Sequence, residues 1–198
     1  MIHDMDRSGY FGASDTRHVI TKNRDTKTWK MWWDVKCGAP SNFGGNKYTE
    51  AGNLYEHPIL RSVSEKMNLD RQLIYEKYLL RVNYDGDMDG TIYEVKTHKA
   101  SKRFEVSKQY WMQAQVEMYC YKLMQKELEL PEFNRLWIVS YGLHPDEYGQ
   151  RAPIDGNRIG FHPVEYDKSW IKGEYLPNLK ELSRKLRRTL KHEVNNTE

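Results

Sequence analysis

Residues 78–97 read YLLRVNYDGDMDGTIYEVKT, and no other part of the chain says more about the fold. The two ends of this stretch, residues 78–84 and 91–97, are rich in β-branched and aromatic residues, which favour strands. Between them, Asp85 to Gly90 is an acidic, glycine-containing run that is typical of a turn. We therefore predict a β-hairpin whose turn occupies residues 85–90.

The segments on either side of the hairpin alternate between helical and strand-like patterns. In chain order we predict a loop at 36–49, a helix at 49–66, the hairpin, a helix at 106–129, strands at 136–141 and 158–164, and an amphipathic helix at 177–194. Pro58 either kinks the first of these helices or marks its start. The inward residues of the first and last helices are predicted to be Leu54, Ile59 and Val63, and Leu179, Leu182, Leu186 and Leu190. This order predicts an α/β fold with a mixed central sheet flanked by helices.

Composition indicates an ordinary globular protein but does not show whether it binds nucleic acid. The 198 residues fit a single domain covering 1–198, and 14 Tyr and 6 Trp supply apolar area although 30% of residues are charged. A net charge of +3 neither requires nor excludes a nucleic-acid partner. The chain has no signal-peptide pattern and no run of about 20 apolar residues, so we expect a cytoplasmic protein without membrane contact.

The cysteine and histidine patterns argue against the common soft-metal sites. Cys37 and Cys120 are far apart, cannot form a four-cysteine cluster, and are expected to be reduced thiols. The seven histidines show no HExxH spacing, which disfavours a zinc site.

The run from Asp85 to Lys96 could hold a cation in one of two ways. The D-x-D-x-D-G pattern matches the first positions of an EF-hand loop. The twelfth position of that loop should be a bidentate Glu, but here it is Lys96, and the flanking segments resemble strands and not helices. Both departures disfavour an EF-hand.

The second possibility follows from strand geometry. Side chains alternate along a strand, so Glu94 and Lys96 project from the same face, and Asp85, at the end of the partner strand, can turn toward that face. Two carboxylates, with the Val95 carbonyl as a third oxygen, suit a hard cation such as Mg²⁺, and a neighbouring lysine can hold the attacking water of a phosphodiester hydrolysis. The pattern alone leaves open an ordinary surface hairpin whose acidic turn is merely solvated.

Four segments in the same order resemble the lambda exonuclease and YqaJ-type viral recombinase family of PD-(D/E)XK nucleases. They are RSGYFGAS at 7–14, GNLYE at 52–56, NYDG at 83–86 followed by EVK at 94–96, and YWMQAQVEM at 110–118. The chain departs from the family pattern where Asn83 replaces a frequent Ser, where Tyr84 replaces Pro, and in a shorter spacing from Asp85 to Glu94. These departures bear more on the role of Asn83 than on the metal site.

The resemblance implies specific roles for these residues. Glu56, Asp85 and Glu94, with the Val95 carbonyl, would hold two Mg²⁺ ions that Mn²⁺ could replace, and Lys96 and Gln113 would complete the catalytic set. Binding of the DNA 5′-phosphate would fall to Arg7, Ser14 and Asn83. The implied activity is a 5′→3′ exonuclease on double-stranded DNA ends serving phage-type homologous recombination, assembled as a homotrimer and partnered by a single-strand-annealing protein.

Several alternatives remain open at this point. Gln113 could lie on a helix surface, Ser14 could be a helix N-cap, and the basic side of the C-terminal helix could be solvated or could contact DNA or another subunit. Other activities to weigh are an endonuclease of the same superfamily, a CRISPR-associated nuclease of the type that needs four cluster-binding cysteines, and a non-catalytic scaffold that binds DNA ends.

Overall fold

The structure, a computed structural model, describes residues 8–40 and 44–195. Within these ranges the α-helices that precede the sheet are α1 Thr16–Ile20, α2 Lys27–Lys36 and α3 Lys47–Val63. The central elements are β1 Asn68–Tyr75, β2 Leu80–Met88, β3 Thr91–Lys99, α4 Lys108–Met124, β4 Arg135–Leu143 and β5 Ile159–Val164. A short α5 Lys168–Trp170 and a π-helical turn Ile171–Tyr175 lead into α6 Leu176–Asn195.

The five strands form one mixed sheet in the order β1-β2-β3-β4-β5. Strands β3 and β4 are parallel, and the other neighbours are antiparallel. A parallel pair needs a crossover connection, which α4 provides between β3 and β4. The predicted fold class, a mixed central sheet flanked by helices, is confirmed.

Helices cover both faces of the sheet. On one face Tyr55 and Ile59 of α3 pack against Val95 of β3 and Tyr141 of β4. On the other face α4 lies between the sheet and the helices α1 and α6, which explains its broad apolar arc. In α6 the predicted inward residues Leu179, Leu182 and Leu186 are fully buried, while Leu190 is partly buried.

The predicted hairpin turn is wrong in its extent. Strand β2 continues to Met88, which pairs with Thr91, and the turn is the dipeptide Asp89-Gly90. Both turn residues have positive φ, 48° and 76°, as a two-residue type I′ turn requires. The strand tolerates its acidic residues because each carboxylate has a partner. Asp87 accepts from the Tyr84 hydroxyl at 2.8 Å, and Asp85 accepts from a backbone N–H of β3.

Other predicted boundaries also shift. The 36–49 loop is shorter than predicted because α3 already begins at Lys47, where the Asn46 side chain caps it, and Pro58 lies inside this helix and does not start it. Helix α4 spans Lys108–Met124 and so is shorter at both ends than the predicted 106–129. Helices α1 and α2 and strand β1 were not predicted at all. No helix in the described ranges is long and apolar enough to cross a bilayer.

Candidate active site

A cleft of about 350 Å³ opens where α3, the β2–β3 hairpin and the start of α4 meet. Its lining includes most of the residues that the sequence singled out for catalysis: Glu56, Asp85, Glu94, Val95 and Lys96, together with Tyr48, Thr49, Gly52, Asn53, Thr97 and Tyr110. Residues distant in sequence thus reach one concave surface. The solvated-turn alternative fails, because Asp85 lies within a strand and lines this cleft.

Glu94 accepts the side-chain hydrogen bonds that link Lys96 and Gln113 in this cleft. The residue is 4% exposed, and its Oε1 accepts from Lys96 Nζ at 2.6 Å and from Gln113 Nε2 at 2.6 Å. Its other oxygen, Oε2, is buried and has no hydrogen-bond partner among the described residues. Buried carboxylate oxygens are rarely left unpaired, and this oxygen is available to a ligand such as a metal ion. Gln113 therefore belongs to the site and does not lie on an unrelated helix surface.

Asp85 and Glu56 complete an acidic cluster around Glu94. Asp85 Oδ2 accepts from the Val95 backbone N–H at 2.6 Å. Burial, followed by the charges of Glu94 and Glu56, raises the pKa of Asp85 well above its usual range. Burial and the Glu94 charge likewise raise the pKa of Glu56 to about 7. Without a bound cation, these two carboxyl groups therefore hold their protons more tightly than they would in water.

Lys96 remains a cation in this environment. Burial lowers the pKa of Lys96, but the charges of Glu94 and Asp85 outweigh that effect and raise it overall. Its Nζ lies 5.2 Å from the centroid of the Tyr110 ring, which forms the adjacent wall of the cleft. A fixed positive charge thus stands beside the carboxylates, as the strand alternation predicts.

The residues present fit a divalent metal ion. The donors are carboxylate and carbonyl oxygens, which suit Mg²⁺ or Mn²⁺, and the unpaired Glu94 Oε2 offers a coordinating atom. Glu56 also belongs to a second group with His57 and Asp70, whose potential ligand atoms lie within 4.8 Å of one another. Within that group His57 Nε2 lies 3.0 Å from Asp70 Oδ1. The sequence did not indicate Asp70, because it lies on the unpredicted strand β1.

A second cleft of about 180 Å³ lies on the other side of Gln113. The sequence-predicted residues Ser14 and Asn83 line it, and both side chains are exposed. Ser14 lies inside the 3₁₀ turn Ala13–Asp15 and does not cap a helix. Arg7, the third predicted phosphate ligand, lies outside the described residues.

The sequence did not indicate two basic residues that line this second cleft. They are Arg81, on β2, and Lys36, at the end of α2. Lys36 is buried, and its Nζ forms an ion pair with Asp15 at 2.6 Å. The Trp32 indole N–H donates to the same carboxyl group at 2.8 Å. The cleft therefore combines Arg81 and the Lys36–Asp15 ion pair with the exposed Ser14 and Asn83 side chains, and its arginine, hydroxyl and amide groups suit a phosphate.

Glu117 is a further residue that the sequence analysis missed. It lies one turn after Gln113 on α4, is fully buried, and accepts from Gln113 Nε2 at 2.8 Å. Burial, then the charge of Glu94, raises its pKa well above the usual range. The spacing of Gln113 and Glu117 predicts contact once the helix is known, but only the fold shows that Glu94 lies beside them.

Comparisons with known proteins bear on the fold. No protein-family model matches the chain, and no curated protein matches it. Among solved structures, the alkaline exonuclease LHK-Exo from Laribacter hongkongensis superposes with a TM-score of 0.65 at 14% identity, covering 96% of this chain and 93% of that one. A phage-related exonuclease from Haemophilus somnus 129PT gives 0.61 at 16% identity, covering 96% of each chain. LHK-Exo has also been solved in complex with dAMP, with a TM-score of 0.65 at 16% identity, covering 96% of this chain and 93% of that one.

These similar structures are exonucleases of the kind that the sequence motifs resemble. At such low identity the similarity shows the fold. The fold implied by the motif resemblance is therefore confirmed by a comparison that does not depend on the motifs.

Proposed function

We propose that this protein, which shares its fold with alkaline and phage-related exonucleases, is a Mg²⁺-dependent DNA exonuclease. The observation that carries the proposal is the environment of Glu94. One of its oxygens is held by Lys96 and Gln113, and the other is buried without a partner in the described part of the chain. A non-catalytic scaffold for DNA ends has no need of such a cluster of converging, partly desolvated charges, whose assembly destabilises the fold.

Each side chain of the cluster then has a chemical task. Asp85, Glu94, the Val95 carbonyl and Glu56 would hold two Mg²⁺ ions, which Mn²⁺ could replace. Bound Mg²⁺ lowers the pKa of water and offsets the charge that develops on the scissile phosphate. Lys96, kept cationic by its neighbours, donates a hydrogen bond to the attacking water and holds it in line with the phosphorus atom.

The second cleft provides a binding site for the end of the DNA. Ser14 and Asn83 would donate hydrogen bonds to a terminal 5′-phosphate, with Arg7 as a bidentate partner. The two clefts adjoin at Gln113, which lines one and bonds Glu94 of the other. A strand anchored by its 5′-phosphate would place its first phosphodiester at the metal cluster, so cleavage would proceed 5′→3′. The product would be a deoxynucleoside monophosphate, the class of ligand found in the LHK-Exo complex with dAMP.

The remaining expectations rest on the motif resemblance. They are a single nuclease domain over 1–198, double-stranded DNA ends as substrate, a homotrimeric assembly, a phage single-strand-annealing protein as partner, a role in homologous recombination, and a cytoplasmic location. Trimer formation can be checked by light scattering of the purified chain.

One gel assay tests the proposed activity. Duplex DNA labelled at either the 5′ or the 3′ end is incubated with the protein in Mg²⁺ or in EDTA. We expect early release of the 5′ label as a mononucleotide in Mg²⁺ alone, while the 3′ label stays on shortening fragments. Asp25→Ala, which removes an exposed carboxylate that lines neither cleft, is the control and should cut normally. Release that persists in EDTA would contradict the metal mechanism, and early release of the 3′ label would contradict the polarity.

A further inference from the structure

Glu117 is a buried carboxyl residue that is expected to destabilise the fold. Its side chain is completely buried in α4, where one oxygen accepts a single hydrogen bond and Oε2 has no partner within the described chain. An apolar side chain of similar size would avoid the cost of desolvating a carboxyl group. Stability alone therefore does not account for a glutamate at this position.

The geometry around Gln113 indicates what Glu117 does. The Gln113 amide nitrogen carries two hydrogens, one donated to Glu94 Oε1 at 2.6 Å and the other to Glu117 Oε1 at 2.8 Å. The amide nitrogen of Gln113, and not its amide oxygen, therefore faces both carboxyl groups. Glu117 thereby fixes the rotamer of Gln113 from behind, and Gln113 in turn holds Oε1 of Glu94.

These hydrogen bonds also determine the orientation of the unpaired oxygen of Glu94. Because Lys96 and Gln113 both bond Oε1, the carboxylate cannot rotate freely, and Oε2 keeps a single orientation. We propose that Glu117 is a positioning residue that holds Glu94, through Gln113, in the orientation that binds the divalent metal ion. This inference rests on the proposed function, since it presupposes that Glu94 is a metal ligand.

The test measures metal binding and stability, not catalysis. The full chain is freed of metal with EDTA, and Mn²⁺ binding is followed by isothermal titration calorimetry, with the melting temperature recorded in EDTA. Glu117→Leu removes the acceptor, and Glu117→Gln retains one. The matched control is Gln115→Leu, at another fully buried polar position of α4 that instead bonds the backbone of residues 165 and 167.

The expected outcome separates positioning from structural support. Glu117→Leu should raise the Mn²⁺ dissociation constant about 10- to 100-fold, as loss of a group that orients a metal ligand does. Its melting temperature in EDTA should stay the same or rise, because a buried carboxyl group with one unpaired oxygen is gone. Glu117→Gln should bind Mn²⁺ within about threefold of wild type. Gln115→Leu should melt several degrees lower yet bind Mn²⁺ normally.

Different failures point to different errors. Wild-type Mn²⁺ affinity in Glu117→Leu would overturn the positioning role while leaving the proposed function in place. A fall in melting temperature as large as that of Gln115→Leu would overturn it too, since Glu117 would then serve the fold. Failure of the wild-type chain itself to bind Mn²⁺ would overturn the metal site and, with it, both proposals.

Discussion

Substitution of Glu56 by Gln should stabilise the metal-free protein, but only at neutral and alkaline pH. Burial and the Glu94 charge raise the pKa of Glu56 from 4.5 to about 7. The folded state therefore binds this proton more tightly than the unfolded chain does. The stabilisation is fully present below about pH 4.5 and is lost as the pH rises through about 7.

The displaced pKa sets the size of the effect. A change from 4.5 to about 7 corresponds to about 3 kcal/mol between the two protonation states. At pH 8 the ionised Glu56 carboxylate is destabilising, whereas the amide of Glu56→Gln carries no charge at any pH. At pH 8 in EDTA, the free energy of unfolding of the variant should therefore exceed that of wild type by up to about 3 kcal/mol. Near pH 4.5 the two free energies should differ little.

Urea unfolding in EDTA at several pH values measures this difference directly. Adding Mg²⁺ at pH 8 supplies a second comparison, since an ion at about 100 times its dissociation constant stabilises wild type by about 2.7 kcal/mol. Mg²⁺ should stabilise the variant less than wild type, because the variant lacks one proposed metal ligand. A stability difference between the two proteins that is the same at pH 5 and pH 8 would refute the reasoning, because Glu56 would then not carry the raised pKa.

Four further substitutions test other residues of the proposed site and of the fold. Lys96→Ala should lose cleavage but still bind Mn²⁺ in a calorimetric titration, since the lysine acts on water, and normal cleavage rates would contradict that role. Arg7→Ala and Ser14→Ala should slow digestion of 5′-phosphorylated duplex and barely change digestion of 5′-hydroxyl duplex, which initial rates on the two substrates will show; an unchanged preference would place the phosphate site elsewhere. Gly90→Ala should lower the free energy of unfolding by about 3 kcal/mol, because φ at this position is 76° and the new Cβ would lie 1.9 Å from the Glu132 carbonyl oxygen. Urea unfolding measures this change. An unfolding midpoint equal to that of wild type would contradict it.

Sequence patterns within single helices and strands predicted much of the fold and the shared face of Glu94 and Lys96 in the site. Strand alternation placed Glu94 and Lys96 on one face, and helical periodicity located α4 and α6. These inferences hold because each depends on residues within one element, whose geometry is fixed by the backbone. The Asp89-Gly90 dipeptide is itself a strong hairpin signal, but the surrounding aspartates obscured where the strands end.

Features that depend on tertiary packing could not be predicted in the same way. Strand β1 carries charged residues and lies at the edge of the sheet, so its pattern does not resemble a buried strand. The approach of Asp70 to Glu56, of Arg81 to the second cleft and of Glu117 to Glu94 depends on how separate elements meet. No spacing along the chain encodes those contacts, and only the assembled sheet and helices reveal them.

The decisive measurement is the initial rate of Mg²⁺-dependent nucleotide release from a duplex end by wild type, Asp85→Ala and Glu94→Ala. Loss of either proposed metal ligand should lower the rate on the order of 10³-fold, about 4 kcal/mol of barrier, while circular dichroism shows an intact fold. Near wild-type release by either folded variant would contradict the assignment of this cluster as the catalytic metal site.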